Sequence, residues 1–192
     1  MNVTRVRRCI CLWALLSLIC GCGSEPLPGD AEGAYLLFRQ AMFDKDVEKV
    51  YGFLSKDTKK LFDDRVLMMG DMSSQISQFL PQVDQKLARR QTGVTLVSKH
   101  KLETGQDLFE LLFNTDVIKK SDEVMVGSEV ADLAYLNEEK TAAALVTYGE
   151  DKYRLVLEED NVWRVASWQD FATVRTSWID ANNEALERTI QE

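Results

Sequence analysis

Hydrophobic residues change their rhythm twice along this chain. From residue 31 to 91 they recur at three- and four-residue spacing, from 94 to 168 they gather mostly into short runs, and beyond 170 the helical spacing returns. Ala31, Ala34, Tyr35, Phe38, Ala41 and Met42 fall on one stripe and predict a first helix, with Asp30 as its N-cap. Asp44-Lys45-Asp46 interrupts it. Val47, Val50, Tyr51 and Leu54 make a second, shorter stripe. Ser55 then stands where a cap belongs, and Leu61, Phe62, Val66 and Met69 carry a third. Met68, Met69 and Met72 read either as a soft binding surface or as core filling, and core filling is the simpler account. The helical pattern continues, broken near Pro81, to Gln91-Thr92-Gly93, where glycine is a natural stop.

Val94-Thr95-Leu96-Val97 begins a stretch of strand-like composition that runs to Leu102. Gly105-Gln106-Asp107 opens a short helix from Leu108 to Phe113. Four strand-like runs follow, at about 124–136, 141–148, 153–157 and 162–168, the first bent or bulged near Gly127. The separators around Asn137, Gly149 and Glu159 are too short for anything but antiparallel neighbours, which predicts a meander. Residues 170–191 read as a last helix, with Phe171, Val174, Trp178, Ala181 and Ala185 on one stripe. The expected class is therefore α+β: N-terminal helices packed on a curved antiparallel β-meander, plus a C-terminal helix. No internal repeat or low-complexity run appears.

Three stretches resemble the nuclear transport factor two-like superfamily, also called SnoaL-like. AYLLFRQAMFDKDVEKVYGFL, from Ala34 to Leu54, is similar to its opening helices. Gly105 to Phe113 is similar to its mid-chain helix. YRLVLEEDNVWRV, from Tyr153 to Val165, is similar to its closing hairpin. The resemblance implies a cone-shaped domain over residues 31–169, with 170–192 as a helix outside the minimal fold.

The amino terminus carries a different message. Met1 to Arg8 contains Arg5, Arg7 and Arg8 and no acid, and the apolar run CICLWALLSLIC spans Cys9 to Cys20. A helix needs about 20 residues to cross a bilayer, so this run is too short, and the pair of regions reads as a secretory signal. Ile19-Cys20-Gly21-Cys22 resembles the bacterial lipobox. That resemblance implies removal of residues 1–21 and lipid on Cys22, with Cys20 where Ala, Ser or Thr is more usual. An ordinary signal peptide, or a short buried helix with incidental cysteines, is the bland alternative. Two or more acyl chains hold a protein stably on a membrane where one does not. Residues 22–30 would be the lipidated cysteine and a flexible Pro/Gly/Ser tether, seven residues of which span at most about 25 Å. Gly23 stands where the family's inner-membrane retention signal places Asp, which implies the outer membrane, facing the periplasm, for a Gram-negative source.

Charge and cysteine usage narrow the chemistry. The chain of 192 residues has a net charge of −8. Without the three arginines of the leader, 20 basic residues remain against 31 acidic. So acidic a domain argues against nucleic acid and against lying on anionic lipid. Cysteine ends at Cys22, which leaves neither a disulfide nor a thiolate nucleophile in the mature chain. His100 is the single histidine and reads as a solvated strand position; a zinc site of the usual His/Cys kind, and any site needing two histidines, is excluded. No cofactor and no metal is expected.

Enzymes of the resembling superfamily use acids and a tyrosine inside the cone, yet no motif here assigns those roles to residues. Strand alternation puts Asp132 on a face with Val130, Ala134 and Leu136, and Arg164 on a face with Val162, Ala166 and Trp168. An Asp132–Arg164 pair lining a ligand pocket is one reading; two ordinary surface charges is the other. Trp163 fits a core position, and Trp168 and Trp178 fit the locking of the last helix. The expected function is a non-enzymatic, membrane-tethered binding or assembly module with an envelope protein partner; the alternatives are a hydrophobic-ligand carrier or isomerase- or dehydratase-like enzyme working inside the cone, and a structural envelope protein.

Overall fold

Asp30 is the N-cap of the first described helix. Its side chain accepts a hydrogen bond from the Gly33 amide at 2.7 Å, pairing one of the donors that a helix start leaves open. The computed structural model describes residues 29–113 and 129–191. The expected leader 1–21, Cys22, nearly all of the tether, and the 124–128 part of the first predicted strand lie outside them. Helix α1 (Ala31–Phe43) buries the predicted stripe. Helix α2 (Val47–Gly52) follows, then α3 (Lys56–Phe79), capped by Ser55, whose Oγ accepts from the Thr58 amide at 3.3 Å. Met69 and Met72 are fully buried on α3, which settles them as core.

After Leu80-Pro81 the chain doubles back as α4 (Gln82–Gln91), whose Arg89 bonds Ser73 and Ser77 of α3. The next segment corrects an expectation. Residues 94–102, expected as a strand, contain helix α5 (Thr95–His100). β-Propensity reports fit to a half-buried pleated surface, and local composition alone does not supply one. Val94 is instead buried against the helical core, and Val97, three residues on, packs there too. His100 is exposed on this helix, not on a strand.

Helix α6 (Gly105–Leu112) opens with a capping box. Thr104 accepts from the Asp107 amide, and the Asp107 carboxylate accepts from the Thr104 amide at 2.8 Å. Those amide donors, from Glu103 and Thr104, hold the Asp107 carboxyl below the usual carboxylate range.

The sheet is the expected meander. Strands β1 (Val130–Tyr135), β2 (Ala142–Thr147), β3 (Lys152–Leu157) and β4 (Trp163–Val165) pair antiparallel in the order β1-β2-β3-β4. Each of the three turns holds a residue in the left-handed region: Lys140, Glu150 and Asn161. Ala143, Leu145, Leu155, Trp163 and Val165 are buried on one face, against which α1 packs. The last helix, α7 (Trp168–Gln191), begins two residues before the sequence reading. The class is α+β, as read from the pattern.

Beside β4, Leu54 forms a parallel bridge with Val165. Helices α3 and α7 both begin just past that bridge. Arg65, nine residues into α3, donates to Thr176 Oγ1 at 3.4 Å and Asp180 Oδ2 at 2.8 Å, at matching depth on α7. The two 24-residue helices, each about 36 Å long, therefore leave that junction in the same direction and pack against one another. Trp178 of α7 packs on Gly93, whose φ of +71° and whose missing Cβ, which would stand 2.5 Å from Trp178 Cζ3, both require glycine.

Gly105 marks a second close approach. A Cβ there would lie 2.6 Å from the Asp63 backbone nitrogen, where α6 starts against α3. Gly105→Ala should lower the unfolding free energy by about 1–3 kcal/mol, measured by urea unfolding. An unchanged midpoint would contradict that packing.

Candidate functional site

Aromatic rings from α1, α2, α3, α6, α7 and strand β3 pack into one cluster in the core. Phe109 of α6 is the hub: its ring lies 5.3 Å from Tyr51, 5.4 Å from Phe62, 5.3 Å from Phe113 and 6.1 Å from Trp168. Trp168 continues the cluster to Phe38 at 5.5 Å and Phe171 at 4.8 Å. Tyr153 of β3 closes it against Tyr35 at 4.8 Å. Offset and edge contacts at these distances add to what ring burial already contributes.

The polar content of this interior is small. Among the described residues the buried polar side chains are Ser55, Thr58, Thr92, Thr147 and Thr176, with no carboxylate among them. Among the described residues three phenols of the cluster, Tyr35, Tyr51 and Tyr153, are titratable groups shifted by burial. Burial pushes the Tyr51 hydroxyl up to about 12, with Asp63 and Asp107 adding to it. Burial also raises Tyr35 and Tyr153, against an opposing pull from the nearby Arg39 guanidinium. Such phenols stay protonated at neutral pH. They are hydrogen-bond donors, not bases, and the described residues place no buried acid beside them.

The two charged residues singled out from the sequence do not meet. A β-bulge between Val130 and Asp132 breaks the alternation on which that reading relied. It leaves Asp132 opposite Val146 and exposed, while Leu133 faces the buried Leu145. Asp132 thus does not share a face with Val130. Arg164 lies on β4, at the far side of the sheet from β1, about 14 Å away across three strand spacings.

Arg164 has other partners. Its Nη2 donates to Asp160 Oδ2 at 2.9 Å, and its Nε lies 3.7 Å from Glu158 Oε2. Glu158 Oε1 in turn accepts from the Lys56 amide at 2.6 Å, at the start of α3. A carboxylate at a helix N-terminus meets both open amides and the positive end of the dipole. Lys59, one turn on, donates to the Gly52 carbonyl at 2.9 Å and lies over the Tyr51 ring. Its amine is lowered from the ordinary value, chiefly by burial and next by the charge of Arg164. This charge cluster joins the β3–β4 turn to α3, and Glu158 Oε2, buried without a hydrogen bond, has the Arg164 guanidinium as its ion-pair partner. The sequence reading missed it, although Asp160 and Arg164 stand four apart with Glu158 just before them.

Trp163 is core, as read, and Trp168 and Trp178 lock α7 to the aromatic cluster and to Gly93. Cys22 lies outside the described residues. Among the described residues no group of three His, Cys, Asp or Glu side chains could hold a metal ion, and no helix is long and apolar enough to cross a membrane. No protein-family model, no curated protein and no solved structure matches the chain.

The buried phenols set a pH dependence. Unfolded tyrosine titrates near 10, below the folded value of about 12 for Tyr51, so the unfolded chain releases its proton first. The contribution is whole below pH ~10 and is lost as pH rises toward 12. Unfolding free energy should fall across that window, and Tyr51→Phe should flatten the fall. A profile that is level from pH 9 to 12 would contradict the burial.

Proposed function

We propose that the chain is a bacterial lipoprotein, tethered by lipid on Cys22, whose domain binds other envelope components through its outer surface. The observation that carries this reading is the packing of the interior. Phe109, Phe62, Phe113 and Trp168 pack ring against ring, which supports a role on the outer surface over a ligand held inside. The contacts that give such a domain a role then fall on its surface. The anchor rests on the sequence: three leader arginines, the run CICLWALLSLIC, and Cys22 preceded by small residues. The likeness of Ala34–Leu54 and Tyr153–Val165 to the nuclear transport factor two-like superfamily fits a domain whose fold serves binding as readily as catalysis. A tether of seven residues keeps the domain within about 25 Å of its membrane, and for a Gram-negative source Gly23 favours the outer one.

Cys22→Ala should move the protein from the membrane to the soluble fraction of disrupted cells. If that variant still sediments with membranes after a high-salt wash, the anchor assignment is wrong. Crosslinking in intact envelopes, followed by affinity recovery, should yield a defined protein partner. Recovery of nothing above background would contradict the binding role.

A further inference from the structure

Helix α4 is built the wrong way round for a helix on a globular surface. Gln85, Ala88 and Arg89 point toward α3. Gln85 Nε2 donates to the Leu80 carbonyl at 3.0 Å, and Arg89 bonds Ser73 and Ser77. At 100° per residue the opposite face carries Val83, Lys86, Leu87 and Arg90 within one third of a turn. All four are exposed, Val83 at 85% and Leu87 at 58%. Phe79, 55% exposed at the end of α3, lies next to this helix in the chain. An apolar strip on the solvent side of a polar-backed helix calls for a partner.

The charge beside the strip says which kind. Between Gln82 and Lys101 stand five basic residues and one acidic, in a chain whose net charge is −8. Lys86 and Arg90 flank Val83 and Leu87 on the outer face itself, while Asp84 falls to its side. We propose that this face of α4 lies on an anionic phospholipid surface, with Val83, Leu87 and Phe79 at the headgroup boundary and Lys86 and Arg90 on lipid phosphates. Apolar anchors flanked by cations are the arrangement by which amphipathic helices lie in that plane. A second copy docked through a two-fold would set Lys86 and Arg90 near their own equivalents, so like charge opposes it. The overall acidity that argues against anionic lipid is an average over the chain, and α4 departs from it.

The proposal does not depend on lipid at Cys22. Amide hydrogen exchange of the full chain, followed peptide by peptide, tests it on phosphatidylcholine vesicles with and without phosphatidylglycerol. Peptides covering residues 79–91 should exchange several-fold more slowly on the anionic vesicles only, while sheet peptides stay unchanged. Each basic residue at such a surface is worth about fivefold in binding, so Lys86→Gln with Arg90→Gln should weaken the effect roughly thirtyfold. Val83→Ser with Leu87→Ser should abolish it, and the exposure of all four side chains keeps the fold intact, which circular dichroism checks. The same protection in the Cys22→Ala chain separates this face from the anchor. Equal exchange on both vesicle types overturns the proposal, as does protection lost in Cys22→Ala. Protection that grows with protein concentration without vesicles assigns the face to a second copy and overturns it too.

Discussion

Two backbone hydrogen bonds at one residue hold the halves of this fold together. Val165 donates its amide to the Phe53 carbonyl at 2.8 Å, and its own carbonyl accepts from the Ser55 amide at 3.0 Å. Residues 53–55 thereby act as one more rung beyond β4, and the sheet edge there is covered. The consequences spread in both directions along the chain. Ser55 is fixed as the cap of α3, and Val165 stands three residues before α7. Both long helices must leave from the same point, and Arg65, Thr176 and Asp180 meet because they lie at equal depth. The ion pair of Glu158 with Arg164, and its bond to the Lys56 amide, brace the same junction from the outer face of the sheet. An exposed pair of this kind would contribute little; here both side chains are mostly shielded from solvent, so their attraction is less screened.

Behind that junction the helices close over rings. The cluster centred on Phe109 draws on α1, α2, α3, α6, β3 and α7, and so welds elements that are far apart in sequence. Its phenols hold their protons because burial penalises the phenolate; of the cations near them, Arg39 lies over the Phe43 ring and Lys59 over the Tyr51 ring. A site for proton transfer needs groups whose environments push them toward opposite tasks. The phenols of this interior are pushed the same way. That is the behaviour of a packed core.

Much of the architecture was legible in the order of residues. The stripes of α1 and α3, the caps Asp30 and Ser55, the meander and the last helix follow from period and turn chemistry, which are local. The strand expected over 94–102 was not, because Val and Thr mark a half-buried pleated place that only the rest of the fold can provide. The pairing of Asp132 with Arg164 failed for a similar reason. A single extra residue in β1 shifts every side chain after it to the other face, and nothing in the run from Val130 to Leu136 announces the bulge. The outward strip of α4 was hidden for the opposite reason: its period is plainly helical, and only the structure reveals which face meets α3.

A tightly packed interior is what this fold requires, and Phe109 is the residue on which that can be weighed. Equilibrium unfolding of Phe109→Ala measures it directly. A packed core predicts a loss of about 3–5 kcal/mol, the transfer of the ring plus the cavity it leaves. A loss below about 1 kcal/mol would mean that the ring borders open space, and would return the interior to consideration as a ligand site.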